Sequence, residues 1–366
     1  IPATLSDRAE MAYLTGLRIV EMVQEDLTPT RIMTRDSFEN AVVLNSALGG
    51  STNAPIHINA VARHVGVELK IEDWQKIGFE IPLLVNMQPS GRYLGEDFHR
   101  AGGVPAVMCS LLAAGKLNDT AITANGKTIA ENYAHSPILD KDVIRSCDEP
   151  ILENAGFIIL KGNICEAAVM KTSVISENFR TQYLSKPGSK NVFEIRAIVF
   201  EGPEDYHERI NNPELNIDVD CILVIRGCGP IGYPGSAEVV NMQPPDSLIR
   251  KGILELPTLG DGRQSGTSGS PSILNVSPES AVGGGLALLQ TGDTLRIDLN
   301  RCAIDVLIDE RELQKRRDLL QLDETENQTP WQEIYRNTVG QLSGGGIIEL
   351  AEKYKKIRHT IPRHSH

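Results

Sequence analysis

The chain has 366 residues, 41% of them hydrophobic and 23% charged, enough to bury a sizeable core and to form roughly two domains. Its formal net charge of −12 argues against nucleic acid or an anionic membrane as the main partner, since both reward clustered Lys and Arg. No apolar run approaches the roughly 18 residues that span a bilayer, and the opening residues are not a secretory signal, so a cytoplasmic protein with a small-molecule partner is expected.

Between Ser6 and Glu25 the apolar residues Tyr13, Leu17 and Val20 recur at helical spacing, and Asp36 with Glu39 makes a capping pair for a second helix. In the stretch LGGSTNAPIHINAVARHVG, Gly49 and Gly50 end one helix, Pro55 suits the first turn of the next, and Gly66 closes it. Ser51, Thr52 and Asn53 therefore stand at a helix N-terminus, where free N–H groups can receive a carboxylate or phosphate. The plainer alternative is that Asn53 only caps the helix.

Ile81 to Val85 reads as a buried strand, followed by a polar loop and a helix with Val104, Val107 and Leu111 on one face. That order places Ser90, Arg92, Asp97 and His99 at the carboxyl end of a parallel sheet, where binding groups collect. A solvated loop accounts equally for Arg92 and Asp97. After about Gly162 the texture changes to short apolar runs bounded by Gly, Pro and Asn: Phe193 to Phe200, Ile222 to Ile225, and Thr294 to Asn300. Leu295, Ile297 and Leu299, then Ile304, Val306 and Ile308, alternate on either side of a short turn, which predicts a hairpin. The expected architecture is α/β over residues 1–160 and a β-rich sandwich or barrel over 161–366, with helices between Trp331 and Lys356 and a basic, histidine-containing tail. Cys109, Cys147, Cys165, Cys221, Cys228 and Cys302 are scattered, with no C-x-x-C spacing, and read as free thiols.

Two glycine-rich loops carry the chemistry. In LGDGRQSGTSGSP, Leu259 to Pro271, glycines let backbone N–H groups and short hydroxyls approach a bound anion or metal, and Ser265 and Thr267 are the first candidates. In RGCGPIGYPGSAEV, Arg226 to Val239, Glu238 is the one carboxylate. A lone carboxylate among backbone groups suits Mg²⁺, with water and substrate oxygens as its other ligands; a surface Glu opening a helix is the alternative. Neither loop matches a nucleotide-triphosphate cradle, a dinucleotide fingerprint or a nucleophile elbow. What is left is a hydroxyl-rich pocket suited to a polyhydroxylated acid. A hydroxyl acts there as a base only when its pKa is strongly lowered, usually by a metal ion.

The segments LGGSTNAPIHINAVA, PSGRYLGEDFHRAGGVPAVM, ANGKTIAEN, GCGPIGYPGSAEV and LGDGRQSGTSGSPSILNVSPESAVGGGLALLQTGDTLRIDL resemble, in order, the dihydroxy-acid and sugar-acid dehydratase family. GRQSGTSGSP with SPESAVGGG resembles its aldonic acid branch, which acts on L-arabinonate or D-xylonate. The resemblance implies a hydro-lyase that removes water from a 2,3-dihydroxy acid to give a 2-keto-3-deoxy acid. An iron–sulfur cluster, 2Fe–2S, would act as Lewis acid on the departing hydroxyl, with Mg²⁺ holding the carboxylate side.

By the same resemblance Ser265 is the base, Thr267 its neighbour, Glu238 a Mg²⁺ ligand, and Ser51, Thr52, Asn53, Ser90 and Arg92 hold substrate. The family's cluster cysteines, other Mg²⁺ ligands and a modified lysine precede the point matching Ile1, so the expectation is a chain without its N-terminal third and without activity alone. It further implies the later half of an α/β domain joined to a β-barrel-like domain with flanking helices, in a homodimer or homotetramer. Two other readings stay open: a branched-chain dihydroxy-acid substrate, and a non-catalytic sugar-acid binding protein.

Overall fold

Among the described residues eight strands, all of them between Phe157 and Val306, close on themselves in a barrel. The computed structural model describes residues 1–89, 91–264, 272–322 and 326–354. Ser90, Ser265, Thr267 and the histidine tail lie outside the described residues. The strands are β1 (Phe157–Gly162), β2 (Cys165–Lys171), β3 (Val192–Glu201), β4 (Cys221–Arg226), β5 (Thr258–Gly260), β6 (Ser272–Ser277), β7 (Thr294–Asp298) and β8 (Ala303–Val306). Around the barrel they run β1-β2-β6-β5-β4-β3-β7-β8, and β8 returns to β1 through Lys161 and Ala303. The predicted hairpin is β7–β8, antiparallel with Ile297 opposite Ile304. The β3-β4-β5-β6 section is parallel.

Burial explains the run-like sequence of these strands. Side chains from all eight fill the barrel, among them Leu160, Met170, Ala197, Val224, Leu259, Ile273, Leu295 and Ile304. The outer faces of β3 and β4 are covered as well, Phe200, Leu223 and Ile225 packing with Tyr206 and Leu248. A strand covered on both faces is apolar throughout instead of alternating, which is why Cys221–Arg226 reads CILVIR.

The first part of the chain is helical: α1 (Ser6–Gln24), α2 (Pro29–Ile32), α3 (Arg35–Ala47), α4 (Ala54–Val65), α5 (Ile71–Gly78), α6 (Gly95–Arg100), α7 (Gly103–Ala113) and α8 (Ile129–Tyr133). Gly66 ends α4 in the left-handed conformation at φ 79°, as its position in the sequence predicts. The cap of α3 is Thr34, whose hydroxyl accepts from Ser37 N, while Glu39 pairs with Arg35 at 2.7 Å. The strand expected at Ile81 to Val85 is a buried extended segment held by isolated bridges, Leu83 to Leu152 and Val85 to Ile144. Its backbone groups find partners in loops and at the end of α3, and among the described residues no parallel sheet forms before β1. The fold is thus mixed α and β, with the sheet confined to the barrel and helices flanking it.

The two parts join through α5 and β1. Trp74 is fully buried, stacks at a tilt on Phe157 with centroids 5.9 Å apart, and packs with Val42, Ile71, Ile159 and Val169. Short helices α9 (Glu177–Phe179), α10 (Gly202–Arg209) and α11 (Asp246–Ile249), then α12 (Glu310–Leu319) and α13 (Pro330–Thr338), decorate the barrel. Among the described residues no helix is long and apolar enough to cross a membrane.

Candidate active site

Three segments distant in sequence meet beside the start of α4. Asn53 occupies the cap position with φ −79° and ψ −19°, but its side chain makes no cap. Instead Nδ2 donates to Glu238 Oε1 and, at 3.3 Å, to the carbonyl of Gln264. Asn275 Nδ2 donates to the carbonyl of Thr52 at 3.3 Å. Arg263 Nε donates to the carbonyl of Ser236 at 2.7 Å, and its terminal nitrogen lies 3.1 Å from His57 Nε2. The capping alternative for Asn53 is therefore not what the molecule uses. Nor does Glu238 open a helix, since it sits in a bend and α11 starts only at Asp246.

Thr52, Asn53 and Glu238 are brought together, and Gln264 places the start of the Ser265 loop beside them. Ser51 is exposed, its hydroxyl accepting from Asn53 N at 3.1 Å. Arg92 does not join them among the described contacts: its guanidinium lies 5.9 Å from the ring centroid of Tyr93, and its N–H donates to Asn86 Oδ1. Asp97 serves α6 by accepting from Leu94 N at 3.0 Å.

The junction holds more polar capacity than it uses. Asn53 Oδ1, Ser236 Oγ, Gln264 Oε1 and Asn275 Oδ1 are buried with no partner among the described residues. Buried polar atoms in folded proteins are nearly always bonded, and exceptions gather where a ligand, ion or water completes them. Two buried carboxylates hold the loops around this space. Asp261 accepts from Gly227 N, Cys228 N, Ser280 N and Ser280 Oγ at 2.6–3.1 Å. Glu279 accepts from Ile231 N, Gly232 N and Gln341 Nε2 at 2.8–3.1 Å, and burial pushes its carboxyl above the ordinary range.

Sequence reading missed His57, Arg263, Gln264 and Asn275. Arg263 and Gln264 adjoin Ser265 and were within reach. His57 on a helix and Asn275 in a strand carry no such signal, because only the closed barrel brings them to the loop.

The donor set suits Mg²⁺ and does not suit an iron–sulfur cluster. Glu238 with the two unpartnered amide oxygens of Asn53 and Gln264 offers hard oxygen donors of the kind Mg²⁺ takes, with water filling the rest. The six cysteines are free thiols, and burial pushes Cys165 up to about 12 and Cys221 up to about 11, away from the thiolate a cluster needs. Among the described residues no three His, Cys, Asp or Glu side chains converge as a metal group.

The sequence has counterparts among known proteins. The chain belongs to the dihydroxy-acid/6-phosphogluconate dehydratase family, whose N-terminal model matches residues 1–132 and whose C-terminal model matches residues 142–346. It is similar to D-xylonate dehydratase of Caulobacter vibrioides, 57% identical over 366 residues, which is 100% of this chain and 61% of that protein. L-arabinonate dehydratase of Rhizobium leguminosarum bv. trifolii is 42% identical over 86% of this chain and 53% of its own length. Dihydroxy-acid dehydratase of Ignicoccus hospitalis is 39% identical over 87% of this chain and 55% of its own length. The chain thus spans between half and two thirds of the length of these curated relatives.

Proposed function

We propose that this chain provides the barrel side of a sugar-acid dehydratase site, a hydro-lyase that converts an aldonic acid such as D-xylonate or L-arabinonate to its 2-keto-3-deoxy acid and water. The observation that carries the reading is the contact of Asn53 with both Glu238 and Gln264, which sets a Mg²⁺-type donor group beside the start of the Ser265 loop. The relatives named for D-xylonate and L-arabinonate support the choice of substrate class.

Glu238 would hold Mg²⁺ with Asn53 and Gln264, and the ion would polarise substrate oxygens and acidify the C2 proton. Ser265 takes that proton, and Thr267 is the second hydroxyl candidate. Ser51 and Thr52 orient the substrate at the opening of α4; Arg92, set apart with Tyr93 and Asn86, is given no part in it. Loss of the C3 hydroxyl as water leaves an enol, and the enol becomes the keto acid. The proton that Ser265 takes from C2 and the C3 hydroxyl together make up the water released, so the reaction balances without a further reactant. The site lies where the helical part meets the barrel; the boundary proposed between residues 1–160 and 161–366 falls inside β1, so the barrel part starts at Phe157. A cytoplasmic setting is proposed on the free cysteines, and a homodimer or homotetramer on the family resemblance.

The test is 2-keto acid formation by the whole protein, supplied with iron, sulfide and Mg²⁺, from D-xylonate, L-arabinonate and 2,3-dihydroxyisovalerate. Turnover of either aldonate well above that of the branched-chain acid is expected. Ser265→Ala should lower kcat by about 10³-fold, and Glu238→Gln should raise the Mg²⁺ needed for half-maximal rate by about tenfold or more. No product from either aldonate would overturn the reading.

A further inference from the structure

Glu238 is exposed and lies in neither helix nor strand, yet the chain on both sides of it is tied to a single residue. Arg263 Nε donates to the carbonyl of Ser236, two positions before Glu238, at 2.7 Å. The carbonyl of Arg263 accepts from Val240 N, two positions after Glu238, at 3.0 Å. The side chain of Arg263 thus holds one end of Ser236–Val240 and its backbone holds the other. The end held by the side chain is the one that needs holding. Ser236 has φ 49°, in the left-handed region that residues with a Cβ seldom adopt, and such a conformation persists where surrounding contacts over-determine it. Here those contacts are the turn bond from Ser236 N to the carbonyl of Tyr233, at 2.9 Å, and the bond from Arg263.

The guanidinium is itself fixed from α4. Its terminal nitrogen lies 3.1 Å from His57 Nε2, and because a guanidinium only donates, the imidazole nitrogen accepts. His57 follows Asn53 by one helical turn, so the two project from the same face of α4. Asn53 reaches Glu238 Oε1 and the carbonyl of Gln264, while His57 reaches Arg263. One face of α4 therefore meets the Glu238 segment twice, once on the carboxylate and once behind the residue that bends the chain toward it. The two contacts of Arg263 leave a rigid planar fork in different directions, a geometry that a lysine ammonium does not reproduce.

We propose, on the reading of Glu238 as a Mg²⁺ ligand given above, that Arg263 is a positioning residue that sets the direction of the Glu238 carboxylate. Mg²⁺ demands near-ideal octahedral geometry, and a carboxylate on an unrestrained loop would spend little of its time in the one direction that such a shell accepts. A cationic side chain has no lone pair to offer the ion, so whatever Arg263 does for cation binding passes through Glu238. A purely structural arginine, tying the two glycine-rich loops together, would affect the molecule equally whether or not residue 238 is a carboxylate.

A double-mutant cycle on cation binding separates these roles. The whole protein, freed of Mg²⁺, is titrated with Mn²⁺, which takes the same oxygen donors, and binding at the tight site is followed by electron paramagnetic resonance. Glu238→Gln should weaken that site by about tenfold or more, and Arg263→Gln by about tenfold. In the Glu238→Gln background, Arg263→Gln should cost less than about twofold further, because the group it acts through is gone. Arg263→Lys, which keeps the charge but not the fork, should behave as Arg263→Gln. A folded Arg263→Gln variant with wild-type Mn²⁺ affinity overturns the positioning role and leaves Glu238 as a ligand. The same loss from Arg263→Gln in both backgrounds also overturns it, since the residue then acts without Glu238. Unchanged Mn²⁺ affinity in Glu238→Gln sinks the reading of Glu238 as a ligand, and the positioning role falls with it. Should Arg263→Gln not fold, Arg263→Lys in the two backgrounds decides by the same criteria.

Discussion

Lys171 links folding to pH in a direction set by its burial. Folding lowers its pKa from 10.5 to about 8, so between those values the unfolded chain binds the extra proton. The neutral amine is accommodated without penalty above pH 10.5, and that advantage is lost as pH falls through about 8. Relative to Lys171→Met, the wild type should therefore lose about 3 kcal/mol of stability between pH 10.5 and pH 7. Urea unfolding of both proteins across that range measures it, and a difference that does not change with pH would mean the ammonium stays hydrated. Asp261 is the opposite case, a buried carboxylate whose acceptors are all engaged by N–H and O–H donors of Gly227, Cys228 and Ser280. Asp261→Asn replaces an acceptor by a donor facing other donors. It should cost about 3 kcal/mol in denaturant unfolding, with the Gly227 loop losing amide-exchange protection.

At the scale of elements, the barrel depends on one seam. β1 and β8 touch where Gly162 passes so close that a Cβ would lie 1.8 Å from the carbonyl oxygen of Ile304. The obstacle is backbone and cannot rotate away, so Gly162→Ala should destabilise the protein by about 2–3 kcal/mol, read as a lower urea midpoint. A near-neutral result would show that the seam can open without cost. α1 is different in kind. None of its 19 residues is buried, and Met11, Tyr13, Leu14, Leu17, Ile19, Val20 and Val23 are 47–76% exposed around its whole circumference. The expected amphipathic face of Tyr13, Leu17 and Val20 thus meets nothing among the described residues. Replacing Leu14, Leu17 and Val20 by Gln should leave stability within about 0.5 kcal/mol per site and reduce binding of a hydrophobic dye. A large loss of stability would mean that the face is packed.

For the whole molecule, the joint at Trp74 couples the helical part to the barrel, since its ring packs with residues of α3, α5, β1 and β2. Trp74→Ala should cost about 4 kcal/mol, detected as a lower thermal midpoint of both parts together. Much of what surrounds this joint was legible in the sequence. The end of α4 at Gly66, the β7–β8 hairpin, the apolar runs of β3 and β4 and the family motifs are all written in neighbouring residues, because capping, turn chemistry and apolar periodicity act over a few positions of the chain. Closure of the strands as a barrel was expected from the family resemblance, while local spacing left sandwich and barrel both open. Not so written were the failure of Ile81 to Val85 to join a sheet and the turning of Asn53 from a cap to Glu238, 185 positions away. Burial of Lys171 with no carboxylate partner among the described residues belongs with these. Each depends on which surfaces meet after collapse, and local spacing carries no record of a partner that only the closed barrel brings within hydrogen-bonding distance.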